Sequence, residues 1–333
     1  MKKLNKSKII GMGFAVPNNI KSNQDLENLM ETSDEWIQSR SGIKQRHWST
    51  NKISTSDLAL SASKKAIDNA LIDPSEIDLV IVGTLSSDHF FPGVSAQIQD
   101  RLNLRTVGAF DIKAACSAFI YALSIADQFI RSGTIKTVLV VGAESQSKLI
   151  QKTTEERDVA VLFGDGAGAA ILSKSNDQSG VLSTHLHAEG KNMKNLWMEA
   201  PGAGFNCWIE NNKFDNKKIT PKMNGREVFR NAVIRFPEVI NEALNENSLT
   251  IDDVKLIIPH QANYRISLAV AKKLGVSNDI VYSNIHKYGN TTAASIPIAM
   301  CEALSDGKIN HGDYIILAAF GAGYTWASAA IKW

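Results

Sequence analysis

A cysteine, a histidine and an asparagine stand at the ends of predicted secondary-structure elements in this chain of 333 residues. Cys116 begins a predicted helix, His260 follows a predicted strand, and Asn290 precedes a second helix. A thiol at a helix N-terminus meets free backbone N–H groups and the positive end of the helix dipole, and both lower its pKa. Active sites of α/β sheets are built at such element ends. The three residues are therefore candidates for nucleophilic chemistry supported by proton transfer or hydrogen bonding.

Each of these residues also has an ordinary structural explanation. A buried cysteine commonly packs as a small apolar residue, a histidine at a strand end can be hydrogen-bonded to its surroundings, and asparagine often caps helices. These alternatives stay open for each residue taken alone. Of the other two cysteines, Cys301 falls in a helical apolar pattern and is assigned to packing, and Cys207 is assigned no role.

An internal duplication links the two parts of the chain. Asp78 and Asp252 each follow an isoleucine and precede an apolar strand pattern, at a spacing of 174 residues. The same spacing separates Gly133 from Gly307, and each glycine closes a helical pattern, as glycine does at helix C-termini. A constant spacing at separate landmarks favours a duplicated unit over chance similarity.

The duplication predicts two halves. Residues 1–174 form an N-terminal half, and residues 175–333 form a C-terminal half. The segment 175–220 is rich in Lys, Asn and Gly with little periodicity, so we predict an irregular excursion that could cover a site. The spacing that joins the landmarks also joins Cys116 to Asn290, so we expect these two residues to occupy equivalent places in the two halves.

Helical and strand patterns alternate along the chain, which predicts an α/β fold rather than an all-α or all-β fold. Several predicted strands are continuous apolar runs rich in β-branched residues, as in sheets covered on both faces. The predicted helices span 56–71, 117–131, 228–244, 265–274 and about 294–304, and the predicted strands span 9–16, 77–83, 137–141, 159–163, 254–258 and 314–319.

Composition narrows the class of protein. With 36 basic and 34 acidic residues the net charge is +2, which gives no reason to expect nucleic acid or a membrane as the main partner. No apolar run reaches the ~18–20 residues of a membrane span. Three widely spaced cysteines indicate reduced thiols rather than a disulfide framework or a metal site. We expect a cytoplasmic protein without a metal centre. The glycine-rich segment 163–169 lacks the spacing of dinucleotide-binding and P-loop motifs.

Several segments together resemble the motifs of the β-ketoacyl-acyl carrier protein synthase III family. They are Ala114–Cys116, Pro259–Asn263, Gly289–Ser295 and Phe320–Gly323, joined by Ser33–Trp36, Arg40–Ile43 and Phe163–Gly168. The resemblance runs from about residue 8 to residue 333 and is weakest over 190–220. Members of this family are the chain-initiating condensing enzymes of bacterial fatty acid synthesis. The resemblance therefore implies the thiolase fold, in which two duplicated βα halves pack as a layered α-β-α-β-α sandwich.

The resemblance also implies a reaction, a decarboxylating Claisen condensation. Cys116 would take an acyl group from acyl-CoA, and malonyl-acyl carrier protein would then lose CO2 and attack the acyl-cysteine to give a 3-oxoacyl product. His260 and Asn290 would donate hydrogen bonds to the enolate oxygen. The backbone N–H groups of Cys116 and Ala322 would hold the oxyanion. In this scheme acyl-CoA is a substrate, and no metal or organic redox cofactor is needed.

Binding residues, a homodimer and a docking surface for the carrier protein are implied in the same way. Such positions often have plainer explanations, since tryptophan on a helix face packs in cores and arginine and lysine are common on solvated helices. The family-like positions are Thr32, Trp36, Arg40, Arg157, Arg226 and Asn263 for CoA; Phe163, Trp197 and, reaching across the dimer interface, Phe91 for the acyl pocket; and Arg230, Arg265, Lys272 and Lys273 for carrier docking.

Single sequence features distinguish this family from enzymes with related activities. A degradative thiolase needs a second catalytic cysteine in the turn 320–324, which has none. A 3-hydroxy-3-methylglutaryl-CoA synthase needs a glutamate base, and nothing marks Glu31 or Glu35 for that role. A starter ketosynthase or acyltransferase of a polyketide-like secondary-metabolite pathway shares the same three residues and is the main alternative. A non-catalytic scaffold that binds acyl groups or a carrier protein is disfavoured, because all three residues are intact.

Overall fold

The apolar strand patterns fold into two sheets with a layer of helices between them. The computed structural model describes residues 5–203 and 219–333. The strands are β1 (Lys6–Ala15), β2 (Ile20–Ser22), β3 (Gln45–His47), β4 (Leu79–Gly83), β5 (Gly108–Ile112), β6 (Thr137–Glu144), β7 (Gly166–Ser175), β8 (Gly180–Ala188), β9 (Leu196–Trp197), β10 (Lys222–Met223), β11 (Val254–Pro259), β12 (Tyr314–Gly321) and β13 (Thr325–Lys332). The helices are α1 (Asn23–Glu27), α2 (Asp34–Ser41), α3 (Thr55–Ala70), α4 (Val94–Arg101), α5 (Ala118–Ser132), α6 (Arg157–Ala160), α7 (Gly225–Glu246), α8 (Tyr264–Leu274), α9 (Ile285–Tyr288) and α10 (Ser295–Ser305).

Each half of the chain builds its own sheet. The first sheet has the order β1-β7-β6-β4-β5, and the second has the order β11-β12-β13-β8. Parallel pairing joins β4 to β5 and β6 in the first sheet and β11 to β12 in the second, and the other neighbours in both sheets are antiparallel. All strands of the first sheet lie before residue 176, and all strands of the second lie after residue 179.

The helices form three layers around these sheets. Helices α5 and α10 lie between the sheets, where Phe119, Leu123 and Met300 pack against apolar side chains of both sheets. Helices α3 and α4 cover the outer face of the first sheet, and α7 and α8 cover the outer face of the second. The observed order of layers is the predicted α-β-α-β-α sandwich of the thiolase fold. None of the helices in the described ranges is long and apolar enough to cross a membrane.

Local backbone geometry fixes where the two central helices begin and end. Before each of them one residue takes a positive φ, Ala115 at 47° and Thr292 at 50°, and a 3₁₀ turn follows. Non-glycine residues rarely adopt this conformation, so the surrounding packing has to hold both turns in place. As predicted, α5 stops at Gly133, whose φ of 76° suits glycine.

The two halves repeat at a spacing of 177 residues rather than the predicted 174. Leu79 pairs with Val138 in the first sheet, and Leu256 pairs with Ile315 in the second, so both members of the pair shift by the same number. The two positive-φ residues, Ala115 and Thr292, lie at the same spacing. Strand pairing and helix entry therefore give one consistent register for the duplication.

This register changes the expected relation between the candidate residues. Cys116 corresponds to Ala293, so the predicted equivalence of Cys116 and Asn290 is wrong. The predicted spacing came from Asp78 and Asp252 and from Gly133 and Gly307. Asp252 lies inside a 3₁₀ turn, whereas Asp78 follows the equivalent turn, so the two aspartates are not counterparts. Helix α10 has 11 residues and α5 has 15, so the glycine after α10 arrives earlier in its repeat.

Two other local predictions are wrong. Residues 159–163 were expected to form a strand, but α6 and the turn after it occupy this stretch, because so short an apolar run does not distinguish helix from strand. The segment 175–220 was expected to be irregular, but it contains β8, which pairs with β13 at the edge of the second sheet. Cys207 lies outside the described residues.

Close packing in the central layer predicts different costs for two leucine truncations. Leu123 in α5 is fully buried, whereas Leu71, just after α3, is 92% exposed. Leu123→Ala should lower the free energy of unfolding by about 2–5 kcal/mol, because it leaves a cavity between the sheets. Leu71→Ala, the matched control, should change it by less than about 0.5 kcal/mol. Urea unfolding followed by circular dichroism measures both, and equal effects would contradict tight packing of this layer.

Candidate active site

One cavity brings the three candidate residues together. Its volume is about 550 Å³, and its wall includes Cys116 from the N-terminal half and His260 and Asn290 from the C-terminal half. All three side chains are buried. Much of the remaining wall is apolar, including Leu196, Phe229, Phe236 and Phe320. A thiol, an imidazole and an amide therefore face one common, mostly apolar space.

Cys116 is placed by the turn that leads into α5 and by a close approach of β12. It lies within the 3₁₀ turn Ala115–Ser117. A Cβ added at Gly321, the last residue of β12, would lie 2.7 Å from the Cβ of Cys116 and 2.9 Å from its sulfur, so only glycine fits there. The backbone N–H groups of Cys116 and Ala322 both act on the thiol. Two N–H groups converging at a nucleophile have the arrangement of an oxyanion hole.

The thiol of Cys116 is harder to ionise than an ordinary cysteine. Burial raises its pKa to about 12, and the carboxyl group of Glu144 adds to the shift. The N–H groups of Cys116 and Ala322 lower the pKa but do not outweigh the loss of solvent. The lowered pKa expected from the helix N-terminus is therefore wrong, because burial dominates.

A short chain of hydrogen bonds sets the position of the proton on His260. The backbone N–H of Gln261 donates to the Ser295 hydroxyl over 3.3 Å, and this hydroxyl lies 2.7 Å from His260 Nδ1, to which we infer that it donates its own proton. An acceptor at Nδ1 places the ring proton on Nε2. Nε2 is buried and has no hydrogen-bond partner in the described parts of the chain. Burial also lowers the pKa of His260 to about 3, so the neutral ring offers an N–H donor.

Asn290 is oriented by its own turn. Its side-chain oxygen accepts a hydrogen bond from the backbone N–H of Thr292 over 2.9 Å. Its backbone is held on both sides, because its N–H donates to the carbonyl of Leu162 over 2.8 Å and its carbonyl accepts from the N–H of Gly164 over 3.0 Å. With the oxygen engaged, the NH2 of the amide is left to donate. Asn290 and His260 therefore both present donors.

Most of the residues implied for CoA binding gather at the same cavity. Trp36, Arg40, Arg226 and Asn263 line it. The guanidinium carbon of Arg40 lies 4.7 Å from the centre of the Trp36 ring, and that of Arg157 lies 5.3 Å from it. The side-chain amide of Asn263 donates to the backbone carbonyl of Arg40 over 2.9 Å, which ties α8 to α2. Thr32 does not line the cavity, but its hydroxyl is buried without a partner in the described residues.

Of the three residues implied for the acyl pocket, one lines this cavity and two do not. Phe163 lines the cavity. Trp197 does not, and its neighbour Leu196 lines the wall instead, because successive side chains of a strand point to opposite sides. Phe91 also lies away from this cavity and is 80% exposed in the single chain.

The residues implied for carrier docking form an exposed basic surface on α7 and α8. Arg230 is paired with Glu227 one helical turn before it. Arg265 reaches the cavity wall and lies 5.7 Å from the centre of the Phe229 ring. Lys272 and Lys273 occupy the exposed last turn of α8. Of these basic side chains, Arg265 therefore lies at the cavity wall, and the two lysines lie at the other end of the same helix.

Some functional positions were missed by reasoning from the sequence. Ser295 lies in the family-like motif Gly289–Ser295, but its contact with His260 depends on the tertiary fold. One face of α7 lines the cavity at helical spacing, and the same spacing in the sequence equally fits a core-facing helix. The residues of α7 that line the cavity are Gly225, Arg226, Val228, Phe229, Ala232 and Phe236.

The described part of the chain holds no group of three or more His, Cys, Asp or Glu side chains arranged for a metal ion.

Comparisons with known proteins agree with this geometry. A family model for 3-oxoacyl-[acyl-carrier-protein] synthase III matches residues 110–190, and a model for the C-terminal part of the same synthase matches residues 244–333. β-Ketoacyl-[acyl-carrier-protein] synthase III 1 of Vibrio cholerae is 43% identical to this chain over 328 residues, which covers 98% of this chain and 99% of the relative.

Solved structures show the same architecture. The crystal structure of 3-oxoacyl-[acyl-carrier-protein] synthase III from Aquifex aeolicus matches with a TM-score of 0.91 and 43% identity, covering 98% of this chain and 100% of that chain. The priming β-ketosynthase of the R1128 polyketide pathway matches with a TM-score of 0.90 and 31% identity, covering 99% of this chain and 97% of that chain.

The hydrogen bond from Ser295 predicts a single tautomer of His260. Nitrogen-15 NMR should show the neutral Nε2–H form from about pH 5 to 9, because burial holds the pKa far below this range. Ser295→Ala should give a mixture of tautomers, since it removes the donor at Nδ1. Ser328→Ala is the matched control, because Ser328 is equally buried and its hydroxyl has no partner in the described residues. A dominant Nδ1–H form in the unaltered protein would contradict the assignment.

The raised pKa of Cys116 predicts slow alkylation that accelerates with pH. The iodoacetamide reaction at Cys116, mapped by peptide mass spectrometry, should keep accelerating from about pH 6.5 to 9.5, because the thiolate fraction rises throughout this range. A plateau beginning below about pH 8 would show that the thiol ionises more readily than its burial indicates.

Proposed function

This chain belongs to the 3-oxoacyl-acyl carrier protein synthase III family, and we propose that it joins an acyl-CoA primer to malonyl-acyl carrier protein through an acyl-Cys116 intermediate. The reaction is a decarboxylating Claisen condensation whose 3-oxoacyl product starts a fatty acid chain. Identity of 43% over nearly the whole length of a relative named for this activity supports it. The priming ketosynthase of a polyketide pathway is less similar, at 31% identity, so the secondary-metabolite alternative is not favoured.

The observation that carries the proposal is the meeting of Cys116, His260 and Asn290 at one buried cavity. The reaction needs a nucleophile that holds the acyl group and two neutral donors for the enolate oxygen. The hydrogen bonds described above leave His260 and Asn290 in the donor state. Cys116 has backbone N–H groups beside it, which suits a tetrahedral oxyanion at the same atom.

In the first half of the reaction, the sulfur of Cys116 attacks the thioester carbonyl of acyl-CoA. The carbonyl oxygen becomes an oxyanion held by the N–H groups of Cys116 and Ala322, and a donor in such a site is worth ~3–4 kcal/mol. Collapse of this intermediate breaks the bond to the CoA sulfur. Because burial keeps the Cys116 thiol protonated, its proton has to leave as the sulfur attacks, and it departs with CoA as the free thiol.

In the second half, the malonyl thioester loses CO2, and the electrons of the broken C–C bond move into an enolate. His260 Nε2–H and the Asn290 amide donate to the enolate oxygen. Donors oriented in advance in a dry site stabilise this charge without reorganisation. The enolate carbon attacks the acyl-Cys116 carbonyl, and collapse of the second oxyanion releases the product and the Cys116 thiolate, which takes up one proton from solvent to return the thiol.

The outer part of the cavity suits the nucleotide end of CoA. Trp36 offers an aromatic face, and the nearby guanidinium groups of Arg40 and Arg157 add cation–π contacts and positive charge for phosphates. Arg226 and Asn263 line the wall between this region and the interior, where the pantetheine arm would run. In this assignment acyl-CoA is a substrate that leaves as CoA.

The proposal includes a homodimer and an acidic carrier protein as partners. Phe90 and Phe91 form an adjacent aromatic pair that is 66% and 80% exposed, and exposed apolar patches of this kind mark interfaces. A second copy that covers them would place Phe91 against the partner's acyl pocket. The exposed basic side chains of α7 and α8 complement the charge of an acidic carrier.

Replacing each of the three residues should separate the two halves of the reaction. Cys116→Ala should abolish acyl transfer from acyl-CoA. His260→Ala and Asn290→Ala should retain it and lose condensation by about 10²–10⁴-fold, because each removes a donor to the enolate. Intact-mass spectrometry with acyl-CoAs from acetyl to dodecanoyl measures acylation, and later addition of malonyl-acyl carrier protein measures discharge as the 3-oxoacyl product.

Cys301→Ala is the matched control, because the Cys301 thiol is partly buried away from the main cavity and should not take up an acyl group. Normal condensation by Asn290→Ala would contradict the role of that amide. Absence of an adduct at Cys116 from every acyl-CoA would contradict the proposed activity itself.

A further inference from the structure

Glu144 is a buried carboxyl group that the proposed reaction does not use. It ends β6 and has no exposed surface. Its hydrogen-bond partners in the described residues are all uncharged. Burial without an opposite charge raises the pKa of Glu144 to about 8. Burying an acid without an opposite charge costs stability, which indicates that Glu144 has a role that offsets this cost.

The carboxyl group joins three separate loops. The backbone N–H of Leu85 and the hydroxyl of Ser86, both after β4, donate to it over 3.1 Å and 2.6 Å. The side chain of Gln146, after β6, donates over 3.2 Å. The backbone N–H of Ala293, in the turn before α10, is a further donor. Glu144 thus fastens the Ala293 turn to the ends of two strands of the other half.

The Ala293 turn is the one that carries Asn290. Thr292 donates to the side chain of Asn290, and Ala293 follows it directly. The turn also packs on the first sheet, where a Cβ added at Gly142 would lie 2.3 Å from the carbonyl oxygen of Ala293. Ala293 further packs against Ala114 and Ala118 on either side of the Cys116 turn. A shift of Ala293 would therefore move the amide of Asn290 relative to the thiol.

The duplication shows what Glu144 replaces. At the 177-residue register Glu144 corresponds to Gly321, just as Cys116 corresponds to Ala293. In one repeat, the strand end at Gly321 makes room for the sulfur and leads to the N–H of Ala322. In the other, the strand end carries a carboxyl group that takes the N–H of Ala293. The counterpart of the oxyanion position is thus filled by a side chain of the protein itself.

When Glu144 is ionised, its charge opposes ionisation of the Cys116 thiol. The neighbouring imidazole, His260, is engaged by Ser295 and stays neutral. The other charged groups on the elements around Glu144 are turned to other partners: Asp88 accepts from the N–H of Thr55, Asp111 from the N–H of Val94, Asp165 from the N–H of Ser147, and Lys148 donates to the carbonyl of Ile53.

We propose that Glu144 is a positioning residue of the condensation, which seats the Asn290 turn through Ala293 and places an ionisable group within electrostatic reach of the Cys116 thiol. This inference rests on the proposed function for its effect on condensation. Its effect on the thiol is independent of that function. Two substitutions separate the effects, because Glu144→Gln imitates the protonated acid while Glu144→Ala removes the anchor.

The charge is tested by alkylation of Cys116 with iodoacetamide across pH. Glu144→Gln and the unaltered protein should react alike at pH 7, where the acid is largely protonated. Above pH 8, Glu144→Gln should react about three- to tenfold faster, because only the unaltered protein gains a negative charge within electrostatic reach of the thiol. Glu242→Gln, at a partly buried site on α7 that lies outside the main cavity, is the control. A constant ratio of rates for Glu144→Gln across the whole range would overturn the electrostatic part.

The anchor is tested by measuring acylation and condensation separately at pH 7. Glu144→Ala should retain acyl transfer to Cys116 and lose condensation by about 10–100-fold, because the N–H of Ala293 loses its acceptor and Asn290 shifts. Glu144→Gln keeps an acceptor and should lose less than about threefold. Equal losses in both half-reactions, or none in either, would overturn the positioning role.

Two further outcomes keep the inference and the proposed function apart. If Glu144→Ala does not fold, the Glu144→Gln profile decides, and unchanged alkylation would count against the inference. If the unaltered protein neither acylates nor condenses, the proposed function fails, while the alkylation ratio still tests whether Glu144 lies within electrostatic reach of Cys116.

Discussion

The reacting groups depend on the exclusion of water from the junction between the two halves. Cys116, His260 and Asn290 are each less than a tenth exposed, so bulk water does not satisfy their hydrogen bonds. In such surroundings the remaining partners decide protonation and orientation: Ser295 for the imidazole and Thr292 for the amide. The same burial that prepares two neutral donors also makes the thiol hard to ionise. In the proposed reaction the site therefore favours stabilising the enolate at the expense of a free thiolate.

The duplicated architecture explains how one chain supplies both functions. Each half provides a strand end and a turn before a central helix, and the two turns meet between the sheets. One turn carries Cys116 against the bare backbone of Gly321, which leaves space for a sulfur and a tetrahedral carbon. The equivalent turn carries Ala293 against Glu144, which fills that space. Only one of the two related positions can hold a substrate, and the other serves as its support.

The sequence predicted what local patterns control. Strong apolar periodicity predicted the central helices, and the motifs predicted the three candidate residues that line the cavity. It could not give the register of the duplication, because Asp78 and Asp252 fall at different places in their repeats and the helix-stop glycine after α10 moves with helix length. Nor could it place Ser295 or Glu144, since a serine near a helix start and an acid at a strand end have many ordinary roles. Trp197 was misplaced because a one-residue shift in a short strand reverses the side that faces the cavity.

The shape and charge of the cavity indicate the order in which the two thioester substrates bind in the proposed reaction. Its wall carries Arg40, Arg226 and Arg265, while its interior is mostly apolar around the thiol. Phosphate is common to CoA and to the phosphopantetheine arm of a carrier protein, so both thioesters would use the same arginines and the same path. Two arms that share one path and one set of arginines enter the site one after the other. The acyl group therefore has to stay on Cys116 while CoA leaves and the carrier protein enters. A covalent acyl-cysteine intermediate holds it there during this exchange.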